Sequence, residues 1–291
     1  MTRIMMMLAL IAMLAMAVAG KRDAAEAPVR ILRGAQQAAT AQEGAQRYIG
    51  FDRNDYPASA TLDALRKTFA FSGYWLNAPP GEKATTWLGK RGILRAHGFG
   101  FLVLFNGRLD KELKASREAK QLAASDAAAA VKTAQTEGFP PGAVIFVDQE
   151  EGGRMLPEQR EYLYSWIDGV NAAGYRAGVY CSGMPDKPGP GGVIAADDIR
   201  QNAGNRQIAF FVYNDACSPS PGCVFSTQPL TNSSAPFAAV WQIAQSPRRR
   251  NLTRLCRATY AADGNCYPPG LASQGIYVDV DVAMSPNPSS G

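Results

Sequence analysis

The sequence predicts an α/β fold, a single irregular (β/α)8 barrel whose helices are weak or missing in the second half. Eight short apolar segments of strand length recur after residue 46, rich in Val, Ile, Phe and Tyr. Helical patterns separate several of the early segments. The chain has 291 residues, about the length of one such barrel, and its 46% hydrophobic residues exclude general disorder. A doubly wound open sheet is the alternative.

The predicted elements alternate along the chain. The strands are expected at Tyr48–Asp52, Phe71–Leu76, Phe101–Phe105, Ala143–Glu150, Tyr175–Ser182, Gln207–Tyr213, Ala238–Ala244 and Ile276–Ala283. We expect all eight to be buried parallel strands. Helices are expected after Ser59 as N-cap, more weakly over Trp87–Ala96, over Ala115–Glu137 and from Pro157. Residues 184–206 and 216–236 show little periodicity.

The first residues have the composition of a secretory signal. Arg3 precedes the apolar run Ile4–Val18, and small residues end at Ala19. This predicts a signal peptide over 1–19, a linker or peripheral helix over 20–46 and the barrel over 47–291. A secreted or periplasmic protein without a membrane span would result. An uncleaved anchor is the alternative, but the run is shorter than the ~20 residues that spanning requires.

Five cysteines and one histidine limit the chemistry. Five cysteines fit an oxidising compartment. The two close pairs predict disulfides Cys217–Cys223 and Cys256–Cys266. Cys181 is left as a buried thiol, and a thiol enzyme that uses His97 is a minor alternative. One histidine excludes a multi-histidine metal site, and neither a metal nor a cofactor is expected.

Acidic residues fall repeatedly at strand ends, where barrel enzymes place their chemistry. Asp52 ends the first strand, Asp148 and Glu150 end the fourth, and Asp279 and Asp281 lie on the last. Residues i and i+2 of a strand point the same way, roughly 6.6 Å apart, so Asp148 and Glu150 would share one pocket. Repulsion and burial would keep one of them protonated near neutral pH, as glycosidic cleavage requires.

Each acid alone has a structural alternative, such as capping a helix or holding Arg53 or Arg154. Aromatic and amide groups gather at the same strand ends and suit a glycan, whose apolar faces stack on rings. Core packing is the alternative for the rings. With Asp279 and Asp281, the predicted substrate-binding residues are Tyr74, Tyr180, Tyr213, Trp241 and Gln242.

Five short motifs in order resemble those of the glycoside hydrolase family 25 lysozymes and, more closely, the related glycoside-hydrolase-like barrel domains of secreted bacterial proteins. They are Gly50-Phe51-Asp52, the segment from Ile145 to Glu150, Tyr180-Cys181-Ser182, Val240-Trp241-Gln242 and the segment from Val278 to Asp281. The chain departs from the pattern at Arg53, which replaces a small hydroxyl residue, and at Asp281, where an Asn is usual.

The resemblance implies cleavage of the bond after N-acetylmuramic acid in peptidoglycan. Glu150 would be the general acid, assisted by Asp148, with Asp52 and Asp279 as supporting carboxylates. A non-catalytic glycan-binding barrel is the competing class. The expected partner is a peptidoglycan or other polysaccharide strand.

The net charge of +5 is too small to indicate binding of nucleic acid. The basic run Arg248–Arg250 is interpreted as a solvated loop. We expect the protein to be a monomer.

Overall fold

The computed structural model describes residues 46–115, 118–214, 229–244, 276 and 278–290. The predicted signal peptide, the linker up to residue 45, both predicted disulfides and Arg248–Arg250 lie outside these ranges. No helix within them is long and apolar enough to cross a membrane.

Eight strands pair in chain order and close into a barrel. The predicted α/β barrel is therefore confirmed, and the open sheet is wrong. The strands begin and end within three residues of the predicted positions because each is a compact apolar run. They are β1 (Tyr48–Asp52), β2 (Phe71–Trp75), β3 (Gly100–Asn106), β4 (Val144–Asp148), β5 (Arg176–Ser182), β6 (Ala209–Tyr213), β7 (Val240–Ala244) and β8 (Asp279–Ala283).

The direction of the last strand differs from the prediction. The first seven strands are parallel, whereas β8 is antiparallel to both β1 and β7. A buried apolar run has the same composition in either direction, so sequence pattern does not reveal it. In this register Asp279 lies opposite Asp52, and Asp281 lies opposite Gly50. The amino end of β8 therefore stands beside the carboxyl ends of the other strands.

The helices are α1 (Leu62–Arg66), α2 (Arg91–Ala96), α3 (Asp110–Ala115), α4 (Ala119–Thr136), α5 (Pro157–Ala172) and α6 (Ala195–Asn202). Ser59 opens a 3-10 turn, Ser59–Thr61, and does not cap a helix; its hydroxyl contacts the Tyr56 hydroxyl at 3.0 Å. The helix α6 was not predicted because it carries one large apolar side chain, Ile199; the other residues that it buries are Ala195, Ala196 and Asp198.

Aromatic rings fill the lower part of the barrel interior. The Phe146 ring packs against the Phe211 ring, with centroids 6.2 Å apart. Gly178 on the neighbouring strand makes room, since a Cβ there would lie 2.3 Å from the Phe146 ring. The barrel interior is therefore apolar around Phe146 and Phe211, and the polar side chains lie nearer the carboxyl ends of the parallel strands.

Residues 285–290 cover the amino-terminal ends of β3 and β4. The Ser289 hydroxyl accepts a hydrogen bond from the Val103 amide at 2.8 Å, and the Ser289 carbonyl accepts one from Val144 at 3.0 Å. The Asn287 side chain accepts a further bond from the Phe101 amide at 2.8 Å. These contacts satisfy strand-end amides that would otherwise lack partners.

Candidate active site

Asp52 projects into the barrel near its mouth, at the carboxyl end of β1. It is buried, and Gly73 on the adjacent strand provides its space, because a Cβ on Gly73 would lie 2.6 Å from the Asp52 Cβ. Asp52 Oδ2 accepts a hydrogen bond from Gln242 Nε2 at 2.9 Å. A glycine on β2 and an amide on β7 therefore position this carboxylate.

Gln242 links three polar side chains. Its Nε2 also lies 3.4 Å from Asp279 Oδ2, and its Oε1 accepts a hydrogen bond from the Tyr180 hydroxyl at 2.8 Å. Burial, followed by the charges of the nearby acids, raises the pKa of Tyr180 well above its usual value, so the phenol remains a donor. Donation by Tyr180 fixes which end of the Gln242 amide faces the two carboxylates.

Asp148 and Glu150 occupy the carboxyl end of β4 at different depths. Asp148 is buried, whereas Glu150 is exposed. Burial raises the pKa of Asp148 well above its usual value, and the charge of Glu150, hydrogen bonding with Glu150 and the charge of Asp52 raise it further. Burial and the neighbouring charges therefore favour the protonated form of Asp148.

The residues beside this pair have structural partners of their own. Glu151 accepts hydrogen bonds from the Asp110 amide at 2.8 Å and from Gln159 Nε2 at 2.9 Å. Arg154 pairs with Asp198 at 3.3 Å instead of with the site. Within the described ranges no Lys or Arg forms an ion pair with Asp148 or Glu150.

Because β8 is antiparallel to its neighbours, Asp279 is nearer the mouth than Asp281. Asp279 stands at the mouth beside Asp52, and Asp281 lies deeper with no exposed surface. Burial, then the charges of Asp52 and Asp279, raises the pKa of Asp281 well above its usual value. The predicted substrate contact of Asp281 is therefore corrected: it is an interior acid that a ligand at the mouth does not reach.

Tyr74 and Trp241 also require correction, since both point away from the barrel interior. Tyr74 is buried among helix-facing residues, and its hydroxyl donates to Glu137 just after α4. Trp241 is buried, and its indole N–H donates to the Asn214 carbonyl at 2.8 Å. Side chains alternate along a strand, so the residue next to inward-facing Gln242 must face outward. The alternation rule indicates that Trp241 and Gln242 cannot both face the barrel interior, and the contacts of Gln242 decide which of them does.

Tyr180 and Tyr213 have the inward orientation. The Tyr180 ring packs against Phe211, with centroids 4.7 Å apart. Tyr213 lies two residues beyond Phe211 on β6, hence on the same side, and is partly exposed at the strand end.

A cavity of about 500 Å³ adjoins Glu150 at the ends of β2, β3 and β4. Its wall includes Asn77 and Asn106, which sequence reasoning missed although both stand at strand ends. Asn77 accepts from the Asn106 amide at 2.7 Å and donates to the Asn106 carbonyl at 3.0 Å. Arg108, also in the wall, is fixed by two hydrogen bonds to Asp126 at 2.7 and 2.9 Å.

Cys181 and His97 do not form a dyad. Cys181 is fully buried near the carboxyl end of β5, and burial raises the pKa of its thiol far above the usual value. His97 lies before the amino end of β3, where Nδ1 is 2.7 Å from Asp63 Oδ1. The thiol-enzyme alternative is therefore not supported. No group of three or more His, Cys, Asp or Glu in the described part of the chain is arranged to hold a metal ion.

Part of the chain matches a known protein family. Residues 89–221 match the family model of the Rv2525c-like, glycoside hydrolase-like domain. This match covers 133 of the 291 residues and includes β4 and β5. The predicted resemblance is thereby confirmed. No curated protein matches the sequence.

Several solved structures are similar to this barrel. The Tat-secreted protein Rv2525c of Mycobacterium tuberculosis, in complex with L-tartrate, has a TM-score of 0.51 and 14% identity over 82% of this chain and 96% of that chain. An uncharacterized B. stearothermophilus protein has a TM-score of 0.49 and 18% identity, over 81% and 95%. The spore cortex lytic enzyme SleM of Clostridium perfringens has a TM-score of 0.45 and 13% identity, over 82% and 68%.

Proposed function

We propose that this protein is a secreted glycosidase that acts on peptidoglycan or a related cell-envelope polysaccharide. One observation carries the proposal: exposed Glu150 borders a cavity at the ends of β2, β3 and β4 and interacts with buried Asp148, whose pKa is raised. The signal-like segment Ile4–Val18 supports secretion. The match to a glycoside hydrolase-like family model and the Tat-secreted relative of the same fold also support the assignment.

The carboxyl pair supplies the proton that cleavage needs. Burial and the charges of Glu150 and Asp52 oppose loss of the last proton from Asp148. Glu150 is the member that reaches the cavity, so the shared proton passes from it to the glycosidic oxygen as the bond to the anomeric carbon breaks. A water molecule then adds to the anomeric carbon and returns a proton to the carboxyl pair. Asp148, which is buried beneath Glu150, assists Glu150 in this proton transfer.

The remaining carboxylates stabilise positive charge on the sugar. Asp52 and Asp279 lie side by side at the mouth, and both face the Gln242 amide. An oxocarbenium-like transition state develops positive charge that fixed carboxylates stabilise without further reorganisation. Gln242, oriented by Tyr180, holds the two acids in place.

The size and the lining of the cavity support a glycan as the substrate. Its volume of about 500 Å³ is within the range of small-molecule sites, roughly 300–1,000 Å³. The amides of Asn77 and Asn106 border it. Tyr213, partly exposed at the end of β6, lies outside the wall of this cavity, on the inward side of the barrel. Amides match sugar hydroxyls, and a partly exposed ring can stack on an apolar sugar face.

Replacing Glu150 with Gln tests the proposal. We expect reducing-sugar release from purified peptidoglycan to fall at least about 100-fold, the usual contribution of a general acid. Sedimentation of the protein with peptidoglycan should be unchanged. Glu161→Gln, at an exposed position on α5, is the matched control and should retain activity.

A different result would favour the competing class. If the wild type and Glu150→Gln release equally little sugar from peptidoglycan and a panel of polysaccharides, while both still bind, the protein is a non-catalytic glycan-binding barrel.

A further inference from the structure

A second, larger groove of about 1,150 Å³ lies at the opposite end of the barrel from Glu150. Its wall includes Arg176 and Ala209, the first residues of β5 and β6. Glu150 and the acids around it stand at the carboxyl ends of the parallel strands. The groove is therefore separate from the candidate active site, and nothing in the proposed glycosidase mechanism uses it.

The charged side chains of this groove are mostly basic. They are Arg176, Arg200, Arg206 and Asp168. Arg206 and Asp168 neutralise one another through two hydrogen bonds of 2.8 Å. Arg176 and Arg200 are exposed, and neither is ion-paired to an acid in the part of the chain that the structure describes. Two positive charges in the groove are thus uncompensated, in contrast to the acidic mouth.

Aromatic rings fix the planes of two guanidinium groups in the groove. The Arg200 guanidinium lies 4.3 Å from the Phe237 ring centroid, and that of Arg206 lies 4.9 Å from the Tyr164 centroid. A stacked guanidinium keeps its N–H edge available for an oxyanion. Because the side chain is already ordered, binding an anion costs less side-chain entropy.

Amide side chains line the groove beside the arginines. They belong to Asn171, Asn205 and Gln207. The Asn171 oxygen accepts a hydrogen bond from the Ala177 amide at 3.0 Å, which turns the NH2 group outward as a donor. Amides are suited to sugar hydroxyls, whereas the Phe237 ring in the groove is already stacked with Arg200 and offers no platform for a nucleic-acid base.

We propose that this groove binds a segment of an acidic polysaccharide. The carboxylate or phosphate groups of the polymer contact Arg176 and Arg200, and its hydroxyls contact the amides. The volume exceeds the roughly 300–1,000 Å³ of small-molecule sites, which suits a stretch of polymer better than a single sugar. The proposal is independent of catalysis at Glu150, so either can fail without the other.

The test compares the full chain with a double variant, Arg176→Gln with Arg200→Gln. Binding is measured to polygalacturonate and phosphomannan, which carry carboxylates and phosphates respectively, to neutral dextran, and to a thymidine oligonucleotide. The matched control removes two exposed charges on α4, Lys120→Gln with Lys132→Gln. Thermal unfolding of all three proteins verifies that they fold alike.

We expect the wild type to bind at least one acidic polysaccharide more tightly than dextran, and less tightly as NaCl rises from 50 to 300 mM. The Arg176/Arg200 variant should bind at least about tenfold more weakly, and the control less than about twofold. Preference for one of the two acidic polymers would identify the acidic group and support the proposal.

Three results would overturn the proposal. The wild type would bind neither acidic polymer, the two double variants would lose the same affinity, or the oligonucleotide would bind as tightly as the acidic polysaccharides. The last result would identify the groove as a general polyanion or nucleic-acid surface.

Discussion

Gln242 donates a hydrogen bond of 2.9 Å to Asp52, which lies 190 positions earlier in the chain. The other end of the same amide accepts from Tyr180 at 2.8 Å. The orientation of a buried carboxylate on β1 thus depends on a phenol on β5, through an amide on β7. A change at any one of these side chains should affect the other two.

Tyr180→Phe should lower glycosidase activity several-fold or more, because the Gln242 amide loses the donor that fixes its orientation toward Asp52. Tyr74→Phe is the matched control, since it removes the same hydroxyl from a ring that faces the helices. Initial rates of sugar release from peptidoglycan compare the two. Equal losses in both variants would contradict this role for Tyr180.

Asp281→Asn should stabilise the protein, and more so as the pH rises. The pKa of Asp281 is raised in the folded state, so its contribution to stability is complete below the pKa of the unfolded chain, about 3.9, and declines above it. Asn has no proton to lose. We expect a gain of roughly 1–3 kcal/mol in the free energy of unfolding at pH 7.5 and little gain at pH 4.

Urea unfolding at the two pH values measures this gain. Asp55→Asn, at an exposed position, should show no comparable dependence on pH. A gain for Asp281→Asn that is the same at pH 4 and pH 7.5 would mean that the ionisation of Asp281 does not oppose folding.

Gly73→Ala should destabilise the fold by roughly 1–3 kcal/mol and reduce activity, because the new methyl group would meet the Asp52 Cβ at 2.6 Å. Gly92→Ala is the control: a Cβ there meets nothing within 4 Å, and the position is helical. It should be neutral or stabilise by up to about 1 kcal/mol. Thermal unfolding and activity assays of both variants check the difference.

Cys181 should resist alkylation by iodoacetamide in the folded protein. The thiol is fully buried, and its raised pKa keeps the reactive thiolate scarce. Peptide mass spectrometry should find Cys181 modified only after denaturation, and the treated native protein should retain the proposed glycosidase activity. Rapid modification with loss of activity would restore the thiol-enzyme interpretation.

Much of the fold could be predicted because its determinants are local. Apolar runs such as Val144–Asp148 and Val240–Ala244 identify buried strands without any knowledge of the neighbours. The short helix α6 lacked that signal, since its stability comes from packing small residues. The direction of β8 was not predictable either, because pairing partners far along the chain determine it.

Part of the candidate site could also be predicted, because some of its determinants are local. Strand-end acids such as Asp148 could be placed, as could the inward position of Tyr180. The depth of Asp281 depends on the direction of β8, which no local pattern encodes. Asn77 and Asn106 were missed because amides at strand ends are common, and their position beside a cavity is visible only in the folded structure.

The pairing of β1 with β8 affects how the chain folds during its synthesis. The first and last strands of the barrel are neighbours, so residues 48–52 cannot pair with β8 until residues 279–283 have been synthesised. Contacts between such distant segments slow folding, since a long loop must close before they form. Until then β1 lacks one of its two neighbours, and the emerging chain exposes an apolar strand edge to the chaperones and membranes it meets.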